Sequence, residues 1–65
     1  MLFPNPAIDK ISIKDTVGEI EITNLLGTTV KTIKNYNGES INLNRLNSGI
    51  YIAKTKNGAF QFIKL

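Results

Sequence analysis

The chain has 65 residues, eight basic and five acidic side chains for a formal charge of +3, and neither cysteine nor histidine. A chain this short buries only about 60% of its unfolded surface, and no disulfide or ordinary His/Cys zinc site is there to staple it. Its charges are scattered without a run of either sign, a pattern of solubility rather than of nucleic-acid binding.

No stretch approaches the roughly 18 consecutive apolar residues of a spanning helix, and Met1-Leu2-Phe3 is too short for a signal peptide. A secreted role therefore requires an export signal outside this stretch, and the expectation is that the chain is a fragment of something longer. The first punctuation is Pro4-Asn5-Pro6, which predicts an extended lead-in because two residues have fixed φ. Lys10 to Lys14 alternates, with Ile11 and Ile13 on one face, while Ile8 has the opposite parity, so the strand starts after it or carries a bulge. Asp15 to Gly18 is a turn, and Glu19 to Thr23 is a strand with Ile20 and Ile22 inward. Asn24-Leu25-Leu26-Gly27 breaks the alternation and predicts a corner where both leucines find cover and Gly27 takes a backbone conformation closed to other residues.

Thr28 to Lys34 is β-branched, but Val30 and Ile33 differ in parity, which predicts a bulge or burial on both faces. Asn37-Gly38 marks a reversal, and Ser40 to Leu43 is a short strand with Ile41 and Leu43 inward. Asn57-Gly58 suits a two-residue type I′ hairpin, since that turn needs positive φ at both positions. The predicted register sets Thr55 opposite Phe60, Ala53 opposite Phe62, Ile52 opposite Ile63 and Tyr51 opposite Lys64. One hairpin face then carries Tyr51, Ala53, Thr55, Phe60 and Phe62, the expected core. The other is polar near the turn and apolar at the open end, where Ile50, Ile52, Ile63 and Leu65 form a surplus cluster. Short strands with turn signals about every 8 to 12 residues and no lasting helical stripe predict an all-β fold, a sandwich or small barrel.

Chemistry is sparse. Without His or Cys the commonest general base and the strongest neutral-pH nucleophile are both missing, and Ser12, Ser40 and Ser48 lack triad partners. Glu19 and Glu21 share a strand face about 7 Å apart, a spacing that suits paired carboxylates, yet an alternating Glu-Ile strand puts its charges in water and so small a chain cannot wall a pocket around them. No catalytic residue, metal site or cofactor is expected, and the chain is not read as an enzyme. Lys10 with Lys14, and Lys54 with Lys56, either steer an acidic partner or guard strand edges against pairing. The aromatics Tyr51, Phe60 and Phe62 point inward, which leaves no stacking platform for single-stranded nucleic acid.

Phe3-Pro4-Asn5-Pro6-Ala7, then Asn24-Leu25-Leu26-Gly27, then Leu46-Asn47-Ser48-Gly49-Ile50-Tyr51, and a last strand closing on Ile63-Lys64-Leu65 occur in an order that resembles the type A C-terminal sorting domain of the type IX (Por) secretion system of Bacteroidetes. Asn24 and Thr28 stand where that family often has Asp and a basic residue. The resemblance covers the whole chain, with Pro4, Asn5, Pro6, Leu26, Gly27, Leu46, Gly49 and Tyr51 as its motif residues. It implies a small immunoglobulin-like antiparallel β-sandwich of six to seven short strands, residues 1–65 being one sorting-signal domain behind an N-terminally fused cargo domain. It implies that the type IX translocon recognises the domain after passage to the periplasm and that a sortase-like peptidase removes it, leaving the cargo on the outer-membrane surface or secreted. The alternative is a small β-sandwich module for adhesion or carbohydrate binding.

A signal shared by unrelated cargoes needs a common surface, and the candidates are Ile50, Ile52, Ile63 and Leu65, with Lys64 at the rim. Burying roughly 300 Å² there at ~25 cal/mol/Å² is worth about 7 kcal/mol before the entropy of association. The last strand also offers a backbone edge for strand addition. Against this, the segment from Leu2 to Ile8, or a second copy in a homodimer through edge strands, would cover the same cluster.

Overall fold

A computed structural model describes residues 1–65 as seven strands without a helix. They are β1 (Leu2–Phe3), β2 (Lys10–Ile13), β3 (Gly18–Asn24), β4 (Thr29–Tyr36), β5 (Ile41–Asn42), β6 (Gly49–Thr55) and β7 (Gly58–Lys64). Strands β1-β2-β5 make one sheet and β4-β3-β6-β7 the other, and every ladder within them is antiparallel. The all-β sandwich expected from the sequence is thus the architecture found.

Alternation decides what goes inside. Ile11 and Ile13 of β2, Ile41 of β5 and Leu43 meet Ile20, Ile22, Tyr51, Ala53 and Phe62 of the larger sheet in one buried cluster. Tyr51 stacks on Phe62 with centroids 5.8 Å apart and donates its hydroxyl hydrogen to the Asn47 carbonyl at 2.7 Å. That tie fixes the corner by which the chain leaves β5 and enters β6 in the opposite sheet, the device known as a tyrosine corner.

The expected irregularity in β4 is present twice. Ile20 pairs with Ile33 but Gly18 with Tyr36, so one residue is inserted and both Ile33 and Tyr36 turn towards the core. A second shift leaves Val30 unpaired and exposed. Tyr36, which the sequence reading did not assign, is fully buried, and its hydroxyl oxygen accepts the Ile13 N–H at 2.8 Å. That bond joins β2 of one sheet to β4 of the other.

Four expectations need correction. The loop of the last hairpin is Lys56-Asn57, not Asn57-Gly58, and the register moves by two: Thr55 lies opposite Gly58, Ala53 opposite Phe60, Tyr51 opposite Phe62 and Ile50 opposite Ile63. Lys56 and Asn57 keep negative φ and the positive value, +132°, falls on Gly58, so the turn is not type I′. A slip of two preserves parity, so the predicted faces survive although Thr55 and Phe60 are not opposite neighbours. Second, Leu25 and Leu26 are 63% and 91% exposed rather than covered. Asn24 Oδ1 accepts the N–H groups of Leu26 and Thr28, closing a tight turn that projects from the sheet, with Gly27 at φ +88°. Third, Pro4 to Pro6 is a run of bends with cis bonds at Phe3-Pro4 and Asn5-Pro6, not an extended lead-in; the first strand precedes it at Leu2–Phe3. Fourth, β5 is only Ile41–Asn42: Leu43 N–H still donates to the Asp9 carbonyl in the same register, but Asn42 Oδ1 accepts Asn44 N–H and starts a turn.

Tyr36→Phe is expected to cost about 1–3 kcal/mol by stranding the buried Ile13 N–H, and Tyr51→Phe about 0.5–1.5 kcal/mol because the exposed Asn47 carbonyl can turn to water. Urea unfolding of the two variants checks the order, and a Tyr51→Phe loss equal to or larger than that of Tyr36→Phe contradicts it.

Candidate docking surface at one pole of the sandwich

β3 ends where β6 begins, with Asn24 opposite Tyr51, and β6 begins where β7 ends, with Gly49 opposite Lys64. The Leu25-Leu26-Gly27 turn, Gly49-Ile50 and Ile63-Lys64-Leu65 therefore lie at the same pole of the four-stranded sheet. The opposite pole holds the Asp15 turn and the Lys56-Asn57 loop, joined by a 3.1 Å bond from Asn57 Nδ2 to the Asp15 carbonyl.

The N-terminal segment comes to the first pole as well. Ala7, fully buried, bridges to Lys64 in parallel, its N–H donating to the Ile63 carbonyl at 2.7 Å and its carbonyl accepting the Leu65 N–H at 2.8 Å. Asn5 Oδ1 accepts the Ile63 N–H at 3.0 Å, and Asn5 Nδ2 reaches the Gln61 carbonyl at 3.5 Å. Pro4 and Pro6 are exposed on either side. The edge of β7 that the sequence left open for strand addition is accordingly occupied from Gln61 to Leu65. Asn5 does this with a side chain, because an Asn amide carries an acceptor and a donor and so can stand in for a backbone unit.

The covering segment takes the backbone and leaves side chains bare. Ile50 and Ile63 face each other across β6 and β7 and are 37% and 41% exposed, and Leu65 is 59% exposed. Ile52 is half-buried on the same outer face, opposite Gln61 and beside Thr23 of β3. The structure thus brings Ile50, Ile52 and Ile63 together, with Leu65 one step beyond. Lys64 does not join them: it lies across from Gly49 with the parity of Phe62, and its Nζ donates to the Leu65 carbonyl at 2.9 Å.

The exposed leucines 25 and 26 extend apolar surface around the same pole, a feature hidden from the sequence by the expectation that they are covered. Leu46 packs partly against the core and Tyr51 holds the corner, so these two motif residues build the pole from beneath, while Gly49 opens β6 opposite Lys64. Glu19 and Glu21 sit on the open outer face, the first 3.5 Å from Lys34 Nζ and the second accepting the Thr29 hydroxyl hydrogen at 2.9 Å. No group of three or more acidic, His or Cys side chains is placed to hold a metal.

Replacing Asn5 by Ala removes the acceptor for Ile63 N–H and the contact to Gln61. The expected cost is about 0.5–1.5 kcal/mol, or a drop of about 4–8 °C in melting temperature for each kcal/mol in a chain of this size. Amide hydrogen exchange should quicken at Ile63 before Phe62, whose ladder faces β6; equal acceleration along all of β7 contradicts the assigned bonds.

Comparison with known families gives one match: the model of the secretion system C-terminal sorting domain aligns with residues 1–64. No curated protein and no solved structure matches the chain.

Proposed function

The chain belongs to the family of secretion-system C-terminal sorting domains, and from that premise we propose that its signal is recognised at the pole where Ile50, Ile52, Ile63 and Leu65 meet the Leu25-Leu26 turn. Membership makes the chain a sorting signal of type IX secretion, associated with export to the outer membrane or the extracellular space. The finer reading is a single domain attached behind a cargo domain, taken to the translocon from the periplasm and removed by a sortase-like peptidase. The order β1-β2-β5 and β4-β3-β6-β7, with the Tyr51 corner, supports an immunoglobulin-like relationship for the sandwich.

The observation that carries the proposal is convergence. Asn5 and Ala7, Leu26-Gly27, Leu46 to Tyr51 and Ile63 to Leu65 are spread over the whole sequence yet assemble one end of one sheet. Packing needs would account for the buried members, but not for Leu26 at 91% exposure or for two isoleucines and a leucine left in water beside it. Strand addition to β7 would first have to displace Asn5 and Ala7, so recognition is assigned to side chains. A carbohydrate-binding face is disfavoured because Phe3 is the one exposed aromatic ring.

Fusing the chain to an inert periplasmic reporter in a host with type IX export tests this reading. Ile52→Lys and Ile63→Lys are expected to cut export while leaving a cooperative thermal melt, and Val17→Lys, at the other pole and half exposed, should leave it unchanged. Folded Ile52→Lys and Ile63→Lys variants exported at the normal rate would sink the proposal. Tyr51→Ala should reduce export through lost folding, and an unchanged melt with abolished export contradicts that.

A further inference from the structure

The four-stranded sheet has two edges, and they are treated differently. β7 is covered by Asn5 and Ala7, whereas the outer edge of β4 makes no backbone hydrogen bond to another segment over its eight residues. β5, an edge strand of the other sheet, has only two residues. A groove of about 510 Å³ remains there, lined by Val30, Lys31, Asn42, Asn44, Arg45 and Leu46. Val30 and Leu46 give it an apolar floor. Lys31 and Arg45 give it two cations, neither of them in an ion pair, since Lys34 with Glu19 is the one pair in the chain. Asn42 Oδ1 is engaged by Asn44 N–H, leaving its Nδ2 free to donate. No carboxylate lines the groove.

We infer that the β4 edge and this groove form a second docking site, distinct from the pole at β7, and that its occupant is an extended acidic peptide segment added as a strand to β4. Such a segment would pair its backbone with the unpartnered groups of β4 and alternate its side chains, so that the carboxylates of one face enter the groove beside Lys31 and Arg45 while its apolar residues continue the opposite face of the sheet. Charge selects the partner. Lys31 and Arg45 disfavour a second copy laid antiparallel on β4, as edge lysines do in general, while the same charges attract an acidic strand; Lys34 lies on the other face with Glu19. The site differs from the sorting pole in chemistry as well as place, so failure of one leaves the other standing.

The test titrates the whole chain with a capped hexapeptide of alternating Glu and Val, followed by amide NMR. Saturable shifts are expected over residues 29–36 and 42–46, with little change in residues 61–65. Lys31→Glu combined with Arg45→Glu should weaken binding about tenfold, the sum of two exposed charge pairs. Should that variant fail to fold, raising the salt on the unaltered chain reads the same loss. A Lys-Val hexapeptide, and a Glu-Val hexapeptide N-methylated at alternate residues, should both fail to bind. The inference is overturned by absence of saturable shifts, by shifts confined to β6 and β7, by equal binding of the methylated peptide, or by self-association of the chain through β4 at the same concentrations.

Discussion

The last strand is held by the beginning of the chain. Asn5 and Ala7 supply β7 with hydrogen bonds across sequence separations of more than fifty residues, and the rest of the sandwich lies between those two ends. In so small a chain, with eleven buried apolar residues as its core, an unpaired terminal strand would fray readily. Closing that edge with one Asn side chain and one buried Ala leaves the outer face of β6 and β7 untouched. The pole therefore combines a backbone that is tied with side chains that are free, a combination suited to a surface presented to a partner.

Much of this could be read from the sequence. Strict alternation in Lys10–Lys14 and Glu19–Thr23 fixed the inward isoleucines, and the aromatic face of the last hairpin followed from parity alone. Parity is robust because a slip of two residues leaves it intact, which is why the misplaced hairpin loop did no harm to the predicted core. The loop is ambiguous because Gly58 serves equally as the second residue of a primed turn or as the positive-φ residue following an ordinary one, and local composition does not distinguish them.

Other features depend on contacts that no local pattern encodes. Asn5 looks like a turn former between two prolines, and its role as a partner for Ile63 appears only when both ends are in place. Tyr36 comes inward through a bulge that resets its parity, and its use as an acceptor for Ile13 belongs to the packing of two sheets. Hydrophobicity alone predicts cover for Leu25 and Leu26. The Asn24 side chain instead organises a projecting turn that leaves them in solvent. These exposed leucines depart from the expected burial rule at the pole where the motif segments gather, and departures from local rules tend to mark functional surface.

The two edges of the larger sheet differ, one stapled beside an apolar pole and the other open beside a cationic groove. Recognition of the signal is proposed at the pole. The most direct measurement places a photo-crosslinking residue at Gln61, exposed on the outer face two residues from Ile63, and compares it with the same residue at Val17 in exporting cells. Crosslinks to an outer-membrane component of the secretion machinery from position 61 and none from position 17 are the predicted result. Crosslinks from position 17 alone would contradict the account.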